Sequence, residues 1–393
     1  MNRLAGWLGW TLFLVIGVPA AVLTGLTFLL AAFEPNPLEI NGEAYTQKMA
    51  PYVRAASAIP AGELVARVVL IGDAGDPAEE NVDTLSELDA WTRAAPDRTV
   101  TLFLGDNVYS VGFEPEDLSR GGAILGAQLN AAHGPAYVIP GNHDWGHTDG
   151  MHLERILAQQ AFVDAAPDAT YLPRDGCPGP EVTALLPEAD LPRPILMVAV
   201  GTTWLLEPMS RPDCARVHYE VMQALEDTLL NTGDAWVIVA GHHPIVTAGP
   251  HGGFERGVIR PAFQALYGAQ GTLGKPVYEL VMEDLGRALA ANRPLVYAAG
   301  HEHSLQLYRD GARAEYLIVS GAGAAGHVNT VTTLPNTLFA HAHPGFVSLD
   351  FERMPSGTVS VIARVVESGL GEVYATRLAG EEGNSSATAA PGR

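Results

Sequence analysis

Basic residues are scarce in this 393-residue chain. Lysine and arginine together number 23, against 44 aspartates and glutamates, which gives a net charge of −21 and a pI near 4.9. Binding to a nucleic-acid backbone needs clustered cations, so this balance argues against nucleic acid as a partner. It also repels phosphate esters at long range. An anionic substrate would therefore need a local positive centre, which bound metal ions can supply.

Cysteine is nearly absent, since only Cys177 and Cys214 are present. They do not form a Cys-X-X-Cys pair, which disfavours a thiol redox centre. Neither lies in the N-terminal region, which disfavours a bacterial lipoprotein. Both occur in proline-containing sequence that is typical of loops. Two alternatives stay open for them: a single disulfide, as an oxidising compartment allows, or two free thiols.

Formal charge is missing altogether from residues 4–33. The run 8–33 is long enough to cross a bilayer as a helix, and it exceeds the ~7–15 apolar residues usual in a signal peptide. Arg3 precedes it and acidic residues follow, so we expect a cytoplasmic N-terminus and an exported remainder. The sequence predicts a transmembrane anchor with an exported periplasmic or extracellular domain. The alternative is a secreted protein, cut near Ala31-Ala32.

The rest of the chain divides into three segments. Residues 34–62 are predicted to be a linker, 63–370 the folded domain, and 371–393 a largely disordered C-terminal tail. Within the folded domain, nearly continuous apolar strands alternate with helical patterns, which predicts an α/β (α+β layered) fold with buried sheets. Residues 167–193, rich in proline, aspartate and glycine, are predicted to be irregular.

Five short motifs each place a possible metal ligand after a strand. A glycine precedes the first ligand in every one, because the backbone can then leave the strand and pass close to a metal without a Cβ clash. Open α/β sheets usually build their functional sites at the carboxyl ends of their strands, which is where these motifs lie. The motifs are Gly72-Asp73-Ala74-Gly75, Gly105-Asp106-Asn107-Val108-Tyr109, Gly141-Asn142-His143-Asp144, Val239-Ala240-Gly241-His242 and Gly300-His301-Glu302-His303.

The donor types in these motifs suit two cations held close together. Carboxylate and phenolate are hard anionic donors that favour a trivalent cation, whereas amide and imidazole donors suit a softer divalent one. Tyrosine has an ordinary pKa near about 10, so only a strongly acidic metal would keep Tyr109 ionised at neutral pH. Two adjacent cations activate water for in-line attack at phosphorus. The motifs therefore predict phosphoester chemistry.

The ordered motifs resemble those of the calcineurin-like metallophosphoesterases. Tyr109, three residues after Asp106, narrows the resemblance to the purple acid phosphatase branch. Within that branch, four short segments are similar to those of the small, tartrate-resistant phosphatases: Trp236–Pro244, Gly249–Gly252, Gly300–Gln306 and Ser320–Gly323. The resemblance extends from about Val65 to His327. It implies a two-sheet β-sandwich flanked by helices, with residues 63–370 as the catalytic domain.

The resemblance also implies a role for each donor. The metal ligands would be Asp73, Tyr109 and His303 for a first metal, ferric iron in the purple enzymes; Asn142, His242 and His301 for a divalent iron, zinc or manganese; and Asp106 as the bridge between them. His143 and His251 would face the substrate phosphate and help to protonate the leaving group, since an imidazole titrates near operating pH.

Other polar residues lie near the motifs. Asp76 is an additional carboxylate that either tunes the site or is solvated, and Asp144 either orients His143 or ends its loop. His243 is predicted to lie near the site. The remaining histidines are predicted to be surface or loop residues: His147, His327, His341 and His343.

The predicted function is hydrolysis of phosphate monoesters on small phosphorylated substrates, by attack of a metal-bound hydroxide on phosphorus. Two alternatives stay open. One is a phosphodiesterase or pyrophosphatase on the same metal centre, because the motifs do not distinguish ester classes. The other is a non-catalytic, membrane-tethered protein that binds a partner or phosphate without turnover, which the full set of ligands disfavours.

Overall fold

The computed structural model describes residues 50–55, 59–114, 117–208, 211–252 and 276–380. The predicted anchor or signal over residues 1–33 lies outside these ranges. Within them, no helix combines the length and the apolar character that a bilayer crossing requires.

Two mixed β-sheets pack face to face and form the sandwich that the resemblance implied. The strands in the described part of the chain are β1 Tyr52–Val53, β2 Glu63–Ile71, β3 Thr99–Phe103, β4 Ala136–Val138, β5 Ala169–Tyr171, β6 Glu181–Leu185, β7 Ile195–Val200, β8 Trp236–Gly241, β9 Val296–Ala299, β10 Leu305–Arg309, β11 Tyr316–Ser320, β12 Thr337–His341, β13 Gly345–Arg353, β14 Val359–Glu367 and β15 Gly371–Ala379.

Both sheets are mixed: one has parallel strands between antiparallel margins, and the other is antiparallel on one side and parallel on the other. One sheet has the strand order β1-β12-β10-β11-β9-β8-β7-β6, and the other β15-β14-β13-β2-β3-β4-β5. Strands β2 to β5 run parallel to one another, as do β7, β8, β9 and β11. Parallel strands bring their carboxyl ends, and the loops that follow them, to one edge of a sheet.

Helices cover the outer faces of the sandwich. They are α1 Val82–Arg93, α2 Leu118–Ala131, α3 Asn142–Trp145, α4 Leu153–Ala165, α5 Thr202–Leu206, α6 His218–Leu230 and α7 Pro276–Ala290. Short 3-10 helices lie at Pro96–Arg98, His147–Asp149, Arg174–Gly176, Pro250–Gly252 and Ala325–His327.

Alternation along the central strands explains the layers. Successive side chains of a strand point to opposite faces, so a strand buried on both faces is apolar throughout. In β2, Val68 packs in the core between the sheets, and Val69 packs in the core beneath the helices. In β8, Ile238 faces the inner core and Val239 faces α6 and α7. The continuous apolar runs of the sequence thus produce a layered structure.

The two sheets meet at the edge where the motif loops lie. The backbone N–H of Gly72, just past β2, donates to the carbonyl of Ser320 in the other sheet at 2.8 Å. The N–H of Asp73 donates to the Gly105 carbonyl at 2.9 Å, and the N–H of Gly300 donates to the His242 carbonyl at 3.0 Å. These bonds hold the loops after β2, β3, β8 and β9 next to one another.

Two strands in the described residues lie outside the predicted domain bounds of 63 and 370, one at each end. Residues 371–379, predicted to begin a disordered tail, form β15 and pair with β14. Charged side chains on its outer face, such as Glu372, obscured the buried Tyr374 and Leu378. In the predicted linker, Tyr52–Val53 pairs with β12. The end of the predicted tail, 381–393, lies outside the described residues.

The segment 167–193 is more regular than its composition predicts. It contains β5, which extends the parallel sheet, and β6, which pairs with β7. Cys177 and Cys214 form a disulfide with a Cα–Cα distance of 5.8 Å, so the chain adopts the first of the two alternatives left open for them. The bridge ties this segment to the loop that precedes α6.

Candidate metal centre

Each predicted ligand lies just past the strand from which its motif was read. Asp73 follows β2, Asp106 follows β3 and Asn142 follows β4, all in one sheet. His242 and His301 follow β8 and β9 of the other sheet. Because the carboxyl edges of the two sheets meet, side chains from both converge on one place.

The first group of donors consists of Asp73, Tyr109 and His303. The phenol oxygen of Tyr109 lies 3.3 Å from Oδ1 of Asp73 and 3.2 Å from Nε2 of His303. The third side, from His303 Nε2 to Asp73 Oδ1, measures 3.3 Å. Three donor atoms from three separate loops therefore form a nearly equilateral triangle. The carboxylate and the phenol are buried.

The second group consists of Asn142, His242 and His301. Oδ1 of Asn142 lies 3.0 Å from Nε2 of His242 and 3.0 Å from Nδ1 of His301. The main-chain carbonyl of Leu104 accepts from Nδ1 of His242 at 2.8 Å, which leaves Nε2 of that ring as the available donor to a metal. All three side chains of this group are buried.

Asp106 lies between the two groups. Its Oδ2 is 3.4 Å from Nε2 of His242, and ligand atoms of Asp73, Asp106 and His242 all lie within 4.8 Å of one another. The main-chain N–H of His301 also donates to Oδ2 of Asp73 at 2.7 Å. The structure thus brings the seven predicted ligands into one cluster, with Asp106 at its middle.

The spacing of these atoms fits metal ions. Neighbouring ligands of an ion bound at about 2.1 Å lie about 3.0 to 3.4 Å apart, whatever the ion. Burial, with the negative charges of Asp73 and Asp106, raises the pKa of Tyr109 well above its usual range. A cation bound among these groups would lower the pKa of Tyr109 and favour its phenolate form. Donor geometry and charge therefore both suit a cation.

Burial and mutual attraction act in opposite directions on the central pair. Burial favours the neutral form of the Asp106 carboxyl, but the charges of His242 and His143 outweigh it and lower its pKa. Burial likewise favours neutral His242, yet the adjacent carboxylate of Asp106 raises its pKa to about 9. The protein groups alone therefore favour a carboxylate at Asp106, the form that binds a metal.

Two glycines show why the backbone can come so close. A Cβ on Gly141 would lie 2.1 Å from Oδ1 of Asp106, and a Cβ on Gly300 would lie 2.5 Å from Oδ2 of Asp73. Neither contact is possible for a side chain. Asp73, Asp106 and His301 themselves have positive φ values of 58°, 54° and 66°, and such strain is concentrated at functional sites.

His143 and His251, predicted to face the substrate, lie at the rim of the cluster. Nε2 of His143 is 3.9 Å from Oδ2 of Asp106, and its side chain is 19% exposed. Its Nδ1 bonds the carbonyl of Ser110, which assigns the proton to Nδ1. His251 is 28% exposed and its ring stands 4.5 Å from that of His301. Both rings are therefore close to the donors and open to solvent.

Glu302 is a functional candidate that the sequence left without a role. Its fully buried carboxylate accepts from the main-chain N–H of His251 at 2.9 Å and lies 3.3 Å from Nδ1 of that ring. Burial would lower the pKa of His251, but the charge of Glu302 raises it. A carboxylate between His301 and His303 was the available signal for this residue.

Asp144 joins two motif loops. Its carboxylate accepts from the main-chain N–H of Asn107 at 3.0 Å and from that of Gly141 at 2.8 Å. Burial raises its pKa to about 7. It therefore holds the loops that carry Asp106 and Asn142 together, which differs from both roles suggested by the sequence.

The remaining histidines lie in different surroundings. His243 lies beside the site as predicted. Its side chain is buried, and its Nδ1 is hydrogen-bonded to Oγ1 of Thr202 at 2.9 Å. One ring nitrogen of His243 lies within 4.8 Å of ring nitrogens of His242 and His301. His341, predicted to be a surface or loop residue, is instead buried and bonds Glu367 at 2.6 Å. His147 stacks on His143 with ring centres 4.1 Å apart.

The profile of the calcineurin-like phosphoesterase family matches residues 66–305, which is more than half of the chain. The chain therefore belongs to the calcineurin-like phosphoesterases and is a hydrolase that acts on phosphoric ester bonds, as the motifs predicted.

Curated relatives place the chain within this family. It is 25% identical over 272 residues to human tartrate-resistant acid phosphatase type 5, a match that covers 65% of this chain and 72% of the relative. It is 26% identical over 279 residues to the rat protein of the same name, with the same coverage. The predicted similarity to the purple acid phosphatase branch is confirmed.

A solved structure shares the fold. The structure of GAP50, the anchor in the inner membrane complex of Plasmodium, superposes with a TM-score of 0.54. The match covers 82% of this chain and 91% of that one, at 16% sequence identity. This likeness extends over the two-sheet sandwich and shows a common architecture.

Proposed function

We propose that this chain hydrolyses phosphate monoesters at a centre of two metal ions. The observation that carries the proposal is the convergence of two donor triads, one from each side of Asp106, within a single buried cluster. The curated relatives are acid phosphatases by name, which supports the choice of monoesters. The expected substrates are small phosphorylated molecules.

The two triads suit different cations. In this proposal Asp73, Tyr109 and His303 bind Fe(III), because two of these donors are hard and anionic. Asn142, His242 and His301 would hold a divalent iron, zinc or manganese ion, and Asp106 would serve both ions. When bound, such a pair acts as a Lewis acid that lowers the pKa of water and neutralises charge on the phosphoryl oxygens.

The rim histidines are proposed to bind the phosphoryl group and move a proton. In His143 the bond from Nδ1 to the Ser110 carbonyl turns Nε2 toward the cluster. From there, a protonated Nε2 can donate to the leaving oxygen. His251 is held by Glu302, whose charge favours the protonated ring. Its cationic form would attract the phosphate and offset the acidic surface of the chain.

We also propose that residues 1–33 anchor the chain in a membrane and that the metal centre lies on the exported side. The uncharged run with Arg3 before it supports this orientation, and the Cys177–Cys214 disulfide is typical of an oxidising compartment. Deleting residues 1–33 should release active protein into the soluble fraction. Persistent membrane association of the shortened chain would contradict the anchor, and cleavage of the full chain near Ala31-Ala32 would favour secretion instead.

The function is tested on the purified full-length chain. Metal analysis should find two ions per chain, and the oxidised iron form should show a visible phenolate-to-iron absorption band. Turnover of an aryl phosphate monoester should exceed that of an aryl diester and of pyrophosphate. Preference for the diester or pyrophosphate would replace the monoester assignment, and a chain with metal but no turnover of any of the three would be a binding protein.

A further inference from the structure

Asp76 and His327 form a pair beside the first triad. Nε2 of His327 lies 2.9 Å from Oδ1 of Asp76, whose side chain is only 7% exposed. The sequence allowed Asp76 to be merely solvated, and its burial excludes that. His327 lies in a 3-10 turn, as its predicted loop position required, but 40% exposure leaves most of its side chain in contact with protein.

His327 contacts two of the three donors in this triad. Its ring packs against the phenol ring of Tyr109 with centroids 4.3 Å apart and planes 31° apart. Its main-chain carbonyl accepts from Nδ1 of His303 at 2.7 Å. That bond places the proton on Nδ1 and leaves Nε2 of His303 facing Tyr109 and Asp73. One residue thus orients the phenol and the imidazole together.

Asp76 lies in the same loop as Asp73, the third donor of this triad. It lies three residues after Asp73, and the N–H of Tyr109 donates to the Gly75 carbonyl at 2.9 Å. The Asp76–His327 bond therefore connects the loop after β2 with the turn at 325–327, and Tyr109 lies between the two. A Cβ on Gly326 would approach Oδ2 of Asp76 to 3.2 Å, so the turn packs closely on the carboxylate.

We propose that Asp76 and His327 are positioning residues that hold Tyr109 and His303 in the geometry that binds a metal. The hydrogen bond between Asp76 and His327 keeps the His327 ring packed on the phenol of Tyr109. It also keeps the His327 carbonyl bonded to the imidazole of His303. This inference rests on the proposed function, because it concerns the affinity of the Tyr109 half of the site. Loss of such a supporting contact typically lowers metal affinity by about 10 to 100-fold.

The test compares Asp76→Ala and Asp76→Asn in the full-length chain. Asparagine keeps an oxygen that can accept from His327, and alanine does not. Metal-free protein is titrated with Zn²⁺ against a coloured chelator, and with Fe³⁺ while the visible band is followed. We expect Asp76→Ala to weaken one of two binding steps by about 10 to 100-fold and to shift or diminish the band, with Asp76→Asn close to wild type.

His327→Phe gives a second, independent comparison. It keeps an aromatic ring against Tyr109 but removes the bond to Asp76, so the same binding step should weaken while the fold is retained by circular dichroism. The matched control is His218→Phe. Nε2 of His218 lies 3.0 Å from Oδ2 of Asp284 and joins α6 to α7, and both side chains are partly buried. Its removal should leave both binding steps unchanged.

The outcomes separate the two proposals. If the wild-type chain takes up neither Zn²⁺ nor Fe³⁺, the proposed function fails. If the wild type binds two ions and both Asp76→Ala and His327→Phe bind them as tightly, only the positioning role is overturned. Equal weakening by Asp76→Asn and Asp76→Ala, or by His218→Phe, would overturn it as well, because the loss would not follow the Asp76–His327 bond.

Discussion

The two halves of the centre differ in charge and in access to solvent. The Tyr109 half combines a carboxylate and a phenol with a partly exposed imidazole, since the side chain of His303 is 13% exposed. The Asn142 half combines an amide with two buried imidazoles and brings no acidic group of its own. Asp106, which lies between the halves, contributes its charge to both. The comparison teaches that two neighbouring groups of donors can differ in chemistry: carboxylate and phenolate favour a trivalent cation, and amide and imidazole a divalent one.

The main-chain carbonyls that orient an imidazole in each half also differ. In the Asn142 half, the Leu104 carbonyl that orients His242 comes from strand-end backbone inside the sandwich. In the Tyr109 half, the carbonyl that orients His303 comes from a loop, at His327. One imidazole is therefore oriented by backbone at a strand end and the other by backbone of a loop, and loops vary more easily.

The largest effect is expected from removing the group that the halves share. Asp106→Ala should lose both metals and reduce turnover to background, because Asp106 lies between the two triads and is the ligand proposed to serve both. Atomic spectroscopy on the purified variant measures the metals, and circular dichroism controls for folding. Full metal content in a folded Asp106→Ala chain would refute the bridging role.

The next prediction separates the halves. Tyr109→Phe should abolish the visible absorption band while the Asn142 half still binds a divalent ion, since only one triad loses a donor. Asn142→Ala should do the reverse, keeping the band and losing about one divalent ion per chain. Absorption spectra together with metal analysis give both readouts. Identical metal loss in the two variants would show that the halves do not bind independently.

Removing a rim histidine should affect turnover without affecting metal content. His143→Ala is expected to lower kcat by about 10² to 10⁴-fold, the usual contribution of a positioned acid or base. The control is His133→Ala, which removes a histidine that pairs with Asp89 between α1 and α2. Steady-state kinetics on samples with equal metal content decide the point. A kcat for His143→Ala within threefold of the control would exclude the proton-transfer role.

The smallest effect on either half is expected from the disulfide. Replacing Cys177 and Cys214 by serine should lower the free energy of unfolding by about 2 to 4 kcal/mol, because the bridge restricts the unfolded chain. Metal stoichiometry should stay the same, since neither residue contacts a donor triad. Denaturant unfolding and metal analysis on the same preparation test this. Loss of one ion on opening the bridge would connect this segment to the centre.

The sequence indicated the candidate ligands because their signals are local. Each motif follows an apolar strand and places a glycine before its first ligand, and Gly141 shows the physical reason, since any side chain there would collide with Asp106. What the sequence did not show was which side chains orient the ligands. Asp76 and His327 are 251 positions apart, and nothing local to either residue indicates the other.

Some elements escaped prediction for physical reasons. Helix α2, Leu118–Ala131, contains three glycines, which are unfavourable in a helix interior. It forms because its face packs: Gly121 lies against Phe113, where a Cβ would approach the ring to 3.0 Å. Strand β15 was hidden by its charged outer face. In both cases tertiary packing overrides the local pattern, and composition alone cannot show that.

Because the two sheets meet at Gly72 and Ser320, ions held in the proposed centre would link metal occupancy to thermal stability. Cations bound there would fasten one layer of the sandwich to the other, because Asp73 and Asp106 come from one sheet and His242 and His301 from its neighbour. An ion that the unfolded chain does not hold raises the free energy of unfolding by about 2.7 kcal/mol at a hundred times its Kd. The melting temperature would then report how full the centre is, with no substrate present.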